Sequence, residues 1–359
     1  MFCYANYVTF QLNPFVQQAV AFVKQRLDHD IKLDLTSKDL TNHISIVTGG
    51  NSGTGFAVAK KLVSLGSTVV LACRNEQRCQ SATKSIQEQY PLKRQFVIPM
   101  NLDLSDLASV KKFSVDFQKR FKRLDILVNN AGLISDPGAL TAQGLEESFG
   151  AMHIGHFALT KYLLKLLLKP LPSGKGAHDA ARVINLSSDG LFLGNFHPSL
   201  MTGSGSGDFR TEITDNCGLV PGFEVLECCP LFACPNTNGY ARAKLANTMH
   251  AYELQRRVDD FALQHSGGTG PSKAHRRLVT ASLHPGSVNT NIHAFLSSKI
   301  TAIFLRSSDQ AAHVILHAIL DDSFVPSAFI DAMRNSHDLF SYRDNHLYKH
   351  TSAFPAAKN

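Results

Sequence analysis

The sequence predicts an α/β domain, doubly wound, with one parallel sheet and helices on both faces. Three observations carry this. From residue 44, short apolar runs alternate with amphipathic stretches of helix length. The first run leads straight into a glycine-rich turn, and the alternation is broken only once, by a long polar insertion.

The strand-length runs are Ile44–Thr48, Thr68–Ala72, Gln95–Met100, Ile126–Asn129, Arg182–Leu186 and Leu278–Leu283. The helical stretches between them include Ala57–Leu65, Ser105–Phe121, Glu146–Leu168 and Tyr240–Val258. Strand and helix alternating at this spacing form βαβ units, and hence a parallel sheet. A single Rossmann-type domain then covers residues 41–335, between an N-terminal extension (1–40) and a C-terminal tail (336–359). In the extension, Asn13-Pro14 reads as a helix start, and Phe15, Ala19, Phe22, Val23 and Leu27 share one face. That face either packs on the domain or rests on a membrane surface.

The insertion, residues 190–239, is rich in Gly, Ser, Pro, Asn and Cys. Structureless stretches of that length inside a compact domain are usually functional or disordered. It follows the fifth strand, at the sheet edge where open α/β folds bind ligands, so a substrate lid is the first expectation. A passive insertion is the second.

Composition narrows the class further. The chain has 359 residues, of which 44% are hydrophobic and 18% charged, which excludes disorder, collagen and coiled coil. The net charge of +7 (36 − 29) is mild and spread along the chain, so an anionic ligand fits better than nucleic acid. The seven cysteines are odd in number and form no C-x-x-C pair, which reads as reduced thiols in an intracellular protein. Cys217, Cys228, Cys229 and Cys234 cluster near His197, but their spacing matches no common metal pattern and no metal is expected. No apolar run reaches the roughly 18 residues of a membrane span. The start of the chain lacks the order of a secretory signal. A cytoplasmic or peripherally membrane-associated protein is expected.

The chemistry begins at the first turn, Thr48-Gly-Gly-Asn-Ser-Gly-Thr-Gly55. Glycines let the backbone turn sharply and approach a phosphate, and the following helix offers free N–H groups and a positive dipole end. After the second strand stands Arg74, where dinucleotide folds meet the adenosine ribose; an Arg there pairs with a 2′-phosphate and favours NADP(H). The third strand ends in Asn101-Leu102-Asp103-Leu104 and the fourth in Asn129-Asn-Ala-Gly132. Asp103 is placed to accept from an adenine amino group, and Asn130 to hold a ribose and the central strand. Both also suit plain strand-end backbone bonding.

Tyr240 and Lys244 lie at i and i+4, on one helix face. A nearby cation favours phenolate, so such a tyrosine can exchange a proton near working pH. The fifth strand ends in Ser187-Ser188, where a hydroxyl can polarise the same carbonyl oxygen.

The ordered set TGGNSGTG, ACRN, NLDL, NNAG, NLSS, YARAK and LHPGSVNT resembles the short-chain dehydrogenase/reductase family over about residues 40–335. The text around NNAG, GHFALT and YARAKLANT is most similar to retinol-dehydrogenase-like, NADP(H)-dependent members. The resemblance implies that Tyr240 exchanges the proton, Lys244 lowers its pKa and binds the nicotinamide ribose, and Ser188 orients the substrate oxygen, with Ser187 as the fallback. It implies a phosphate turn of Gly49, Ser52, Gly53 and Gly55. Arg74, Asp103, Leu104 and Asn130 line the adenosine side, and Pro285, Gly286, Val288 and Thr290 cradle the nicotinamide amide.

Three positions depart from the family. Thr54 replaces an Ile, the Ser-to-Tyr interval is long, and Met152 stands where the family has an Asn that supports a water-linked proton relay behind the lysine. Met offers no useful donor or acceptor. Its neighbour His153 points about 100° around the helix and is not expected to substitute.

Leu159, Leu163, Leu164, Leu166, Leu167 and Leu168, interrupted by Lys161, Lys165 and Lys169, form a broad apolar face. Core packing explains it, and in the resembled family this region often pairs subunits, which leaves a homo-oligomer open. The expected activity is NADP(H)-dependent hydride transfer between nicotinamide and a carbonyl or alcohol of an apolar substrate (retinoid, steroid or lipid-like). The alternatives are a cofactor-binding scaffold or sensor with little turnover, fed by Met152, and a C=C reductase of the same family.

Overall fold

The computed structural model describes residues 35, 38–136, 138–169, 180–188, 237–265, 278–288, 305–321 and 329–331. The proposed N-terminal helix, all but the last three residues of the 190–239 insertion, the Cys217–Cys234 cluster and Thr290 lie outside these residues.

The strands are β1 (Ile44–Thr48), β2 (Thr68–Cys73), β3 (Val97–Asn101), β4 (Ile126–Asn129), β5 (Ala181–Leu186), β6 (Leu278–His284) and β7 (Phe329–Asp331). They form one parallel sheet in the order β3-β2-β1-β4-β5-β6-β7. The order reverses direction between β1 and β4, which opens a crevice beyond their C-terminal ends. Helices α1 (Gly53–Ser64), α2 (Glu76–Gln89), α3 (Leu107–Arg120), α4 (His156–Leu167), α5 (Thr237–His265) and α6 (Ser308–Leu320) cover the sheet.

Alternation along the strands feeds two cores. Val47 and Leu71 pack with Val58, Leu62, Ile315 and Ile319 on one face. Their neighbours Ile46 and Val70 pack with Phe113, Phe117, Leu159 and Leu163 on the other. Each such side chain, fully buried, contributes about 1.5–3 kcal/mol relative to exposure.

Local signals set the ends. Asn75 caps α2 by accepting from Arg78 N at 2.9 Å, and Asp106 caps α3 by accepting from Ala108 N at 2.9 Å. Ser307 and Gln310 form a reciprocal capping box on α6. After α1, Gly66 at φ +96° carries a Schellman turn: Gly66 N donates to Val63 O, and Ser67 N to Leu62 O.

The structure corrects several expectations. The third strand starts at Val97 rather than Gln95, because Pro91–Phe96 coils into a 3₁₀ turn. The stretch Glu146–Leu168 is not one uniform helix. Glu146 is the cap, Glu147–Phe149 a first turn, Gly150–Gly155 a π-helical segment, and α4 begins only at His156. The tight β2-to-α2 turn also brings Cys73 and Cys79 together, their Cα atoms 5.9 Å apart, within the range a disulfide spans.

Candidate active site

The glycine turn is shaped by close packing as much as by φ. Gly49 and Gly53 adopt φ +64° and +54°, in the left-handed region that favours glycine. A Cβ on Gly55 would collide with Asn130 Nδ2 and come within 2.6 Å of the Gly49 carbonyl. Ser52, the N-cap of α1, makes no side-chain cap bond, and no acidic residue stands in the first turn. The helix end thus keeps its dipole and N–H groups facing the turn, the arrangement that receives a phosphate. Thr54, the departure in this turn, is simply buried.

Thr48 ties the turn to β4 and α4. Its hydroxyl accepts from the backbone N–H groups of Asn130 and Ala131, each at 2.9 Å, and lies 2.8 Å from His156 Nε2. His156 Nδ1 lies 2.7 Å from the Met152 carbonyl, which can only accept, so Nδ1 carries the proton and Nε2 accepts from Thr48. Burial pushes the His156 pKa down to about 3, keeping the ring neutral. Asn130 itself donates to the Thr48 carbonyl at 2.8 Å, so it holds the central strand. Asp103 accepts from Ser105 N and Oγ at 2.9 and 2.6 Å, closing a local turn. Leu104 is buried, its carbonyl filling the space where Gly155 has no Cβ. Arg74 is exposed and stands 3.5 Å from Glu147.

On α5, Lys244 is 4% exposed, its Nζ 5.3 Å from the centroid of the Tyr240 ring. Nζ donates to the Leu186 carbonyl at 3.0 Å. Burial pushes the lysine pKa down to about 8. Ser187 Oγ donates to the Lys244 carbonyl at 2.7 Å and accepts from Thr248, so it pins β5 to α5. Ser188, the next residue, is buried at the strand end. Across β6, Gly286 takes φ +89°, and Val288 bridges Arg306, whose N–H donates to the Ser287 carbonyl at 2.8 Å.

Met152 is 1% exposed and packs with Phe149, Ala243 and Ala246, with Tyr240 against the cluster. It is an apolar post under the face of α5 that carries Tyr240. His153 nevertheless reaches α5: its Nδ1 lies 3.2 Å from Asn247 Oδ1. The π segment spreads successive side chains differently from a 3.6-residue helix, which the sequence expectation had assumed. Sequence reasoning also passed over Gly239, whose missing Cβ makes room for the buried Glu146 carboxylate. Among the described residues no group of three or more His, Cys, Asp or Glu stands close enough to hold a metal ion. No helix among them is long and apolar enough to cross a membrane.

A glycine turn at the head of a helix, a crevice at the strand reversal, and a tyrosine and lysine sharing one helix face define a dinucleotide-dependent oxidoreductase. Comparison with known proteins agrees. A family model for short chain dehydrogenases matches residues 43–204. Retinol dehydrogenase 11 of Homo sapiens is 32% identical over 288 residues, spanning 79% of this chain and 74% of the relative. Retinol dehydrogenase 12 of Bos taurus is 30% identical over 298 residues, spanning 81% and 77%. A solved structure from Mycobacterium paratuberculosis superposes with TM-score 0.55 at 26% identity, covering 82% of each chain. A short chain dehydrogenase from Shigella flexneri complexed with NADP shares the fold, with TM-score 0.57 at 21% identity, covering 82% of this chain and 98% of that one. The chain belongs to the short-chain dehydrogenase/reductase family, among relatives of the retinol-dehydrogenase-like kind. It is an oxidoreductase of the class acting on CH–OH donors, and the family uses nicotinamide cofactors.

Proposed function

We propose that the chain is an NADP(H)-dependent oxidoreductase interconverting a carbonyl and an alcohol on an apolar substrate of retinoid, steroid or lipid-aldehyde type. The observation that carries this reading is the buried Lys244 ammonium beside the Tyr240 ring, on the helix that Ser187 pins to the end of β5.

The residues of the crevice fit a dinucleotide, since Gly49 and Gly53 hold the turn in left-handed backbone and the N-terminus of α1 carries neither a side-chain cap bond nor an acid in its first turn. Gly49, Ser52, Gly53 and Gly55 would hold the pyrophosphate and Arg74 the 2′-phosphate. Asp103, Leu104 and Asn130 would line the adenosine side. Pro285, Gly286 and Val288 would flank the nicotinamide amide, with Thr290 assigned on sequence alone. When bound, NADP(H) supplies or takes up the hydride.

The chain's own groups handle the oxygen. Ser188 donates a hydrogen bond to the substrate oxygen and so stabilises developing alkoxide charge. In the reductive direction Tyr240 Oη gives its proton to that oxygen, forming the alcohol and leaving phenolate, which solvent reprotonates. Lys244 stabilises the phenolate and so lowers the barrier to that transfer. Proton transfer of this kind contributes about 10²–10⁴ in rate. Relatives named as retinol dehydrogenases support an apolar alcohol or aldehyde.

The test is consumption of NADPH and of NADH across a panel of aliphatic, steroid and retinoid carbonyls. NADPH-preferring turnover with apolar members is expected. A second reading, a cofactor-binding scaffold with little turnover, draws on the apolar Met152 packed against Ala243, Ala246 and Tyr240. Saturable NADPH binding without consumption anywhere in the panel would select it.

A further inference from the structure

The polar groups that this chemistry leaves unused gather behind Lys244. The Leu186 carbonyl, at the end of β5, accepts twice: from Lys244 Nζ at 3.0 Å and from Asn247 Nδ2 at 3.2 Å. Asn247 is 2% exposed, and its Oδ1 faces His153 Nδ1 at 3.2 Å across 94 residues of sequence. An amide oxygen only accepts, so His153 carries its proton on Nδ1, and the amide is oriented by donors and acceptors at both ends. Burial pushes the His153 pKa down to about 4, so the ring stays neutral and keeps that tautomer near neutral pH. Its orientation is fixed by the Phe149 ring at 5.3 Å and, edge-on, the His250 ring at 6.2 Å. The Met152 side chain packs among the apolar Phe149, Ala243 and Ala246.

We propose that Asn247, oriented by His153, is a positioning residue for Lys244: the pair fixes the carbonyl on which the ammonium is aimed. The inference rests on reading Tyr240 and Lys244 as the proton-transfer pair. The Leu186 carbonyl accepts from both sides, so it cannot pass a proton from one to the other, and the role is geometric. A lysine on a flexible four-carbon stem needs such an anchor, because the Leu186 carbonyl that accepts from it decides where the charge sits relative to the Tyr240 ring. Misplacing a catalytic charge by about an ångström can cost roughly 10²-fold in rate.

The test compares Asn247→Ala, His153→Phe, His153→Asn and Lys244→Ala in the full chain, with NADPH affinity by fluorescence titration and steady-state kinetics on the best carbonyl of the panel. Asn247→Ala is expected to lower kcat about 10- to 100-fold, with KM and NADPH Kd within a few-fold. His153→Phe is expected to lose less. His153→Asn, which keeps a donor nitrogen near the Nδ1 position, should recover most of that loss. Combining Asn247→Ala with His153→Phe should cost little beyond Asn247→Ala alone, as for groups acting in series. Folded, NADPH-binding Asn247→Ala with normal kcat while Lys244→Ala is inactive overturns the positioning role alone. A His153→Asn variant as impaired as His153→Phe overturns the part given to His153. Normal turnover in Lys244→Ala overturns the proton-transfer reading and this inference with it.

Discussion

Lys244 Nζ and the Tyr240 ring stand 5.3 Å apart, one helical turn along α5, with the ammonium drawn to the Leu186 carbonyl. On the proposed reading this cation stabilises the phenolate that Tyr240 leaves when it gives up its proton. Tyr240→Phe is therefore expected to lose at least about 10²-fold in turnover, because the acid is gone while the ring's packing remains. NADPH affinity should stay within a few-fold. Wild-type turnover in this variant removes Tyr240 from the chemistry.

The same lysine carries a stability cost with a definite pH dependence. Its folded pKa, about 8, lies below the ordinary 10.5 because burial disfavours the ammonium. The unfolded chain therefore binds the extra proton between those values. The penalty is full below about pH 8 and is lost as pH rises toward 10.5. Lys244→Met should stabilise the protein without cofactor at pH 7 by on the order of 1–3 kcal/mol, after losing the bond to Leu186. That advantage should shrink clearly by about pH 9.5 in chemical-denaturation curves. An advantage that grows with pH contradicts the burial argument.

Most of this domain is legible in the sequence because its strands are buried on both faces and read as apolar runs. What escapes is physically weaker. Helix α2 buries only Cys79, Ala82, Thr83 and Ile86, a thin stripe on a polar helix. Helix α6 is apolar nearly all round, so it shows little period, and β7 has three residues. At the site, Tyr240 and Lys244 are visible because local spacing brings them together. Glu147 beside Arg74 and His153 beside Asn247 are not, since each pair is joined only by the fold, across 73 and 94 residues. The approach of Cys73 and Cys79 escapes for the opposite reason: a six-residue separation gives no sign of the turn that brings them together.

Arg74 and Glu147 should set cofactor choice in opposite directions. If the guanidinium takes a 2′-phosphate as proposed, the carboxylate 3.5 Å away competes for it and repels the phosphate. Arg74→Asp is expected to invert the preference from NADPH to NADH. Glu147→Gln should tighten NADPH by no more than about fivefold, since exposed ion pairs are worth roughly 0–1 kcal/mol. The ratio of kcat/KM for the two cofactors measures both. An Arg74→Asp enzyme that still prefers NADPH leaves the arginine as a surface charge.

Gly239 immediately precedes Tyr240, and a Cβ there would run into the Glu146 carboxylate. That carboxylate is not free to retreat, as it accepts from Ser148 N, Phe149 N and Ser135 Oγ at 2.9, 2.7 and 2.9 Å. Gly239→Ala must therefore push the start of α5, and Tyr240 with it. A loss of about 10²-fold in kcat is expected from a displacement of about an ångström, with a folded protein and nearly normal NADPH affinity. Normal kcat would mean that α5 tilts without moving the hydroxyl.

Met152 tests whether the apolar post is a support or a brake. It is 1% exposed against Phe149, Ala243 and Ala246, and its carbonyl accepts from His156 Nδ1 at 2.7 Å, while Nε2 of the same ring accepts from the Thr48 hydroxyl. Met152→Leu nearly conserves volume and should cost less than about 1.5 kcal/mol, with turnover little changed. Met152→Ala should cost about 2–5 kcal/mol, and kcat should fall as well because the face of α5 that carries Tyr240 loses its footing. Met152→Asn places an amide in this apolar cluster, and without a partner there it should cost about 1–3 kcal/mol and gain no activity. Denaturation midpoints and kcat for the three variants separate the two roles. An asparagine variant turning over faster than wild type would show that methionine at this position restrains the enzyme, and would move the protein toward the sensor reading.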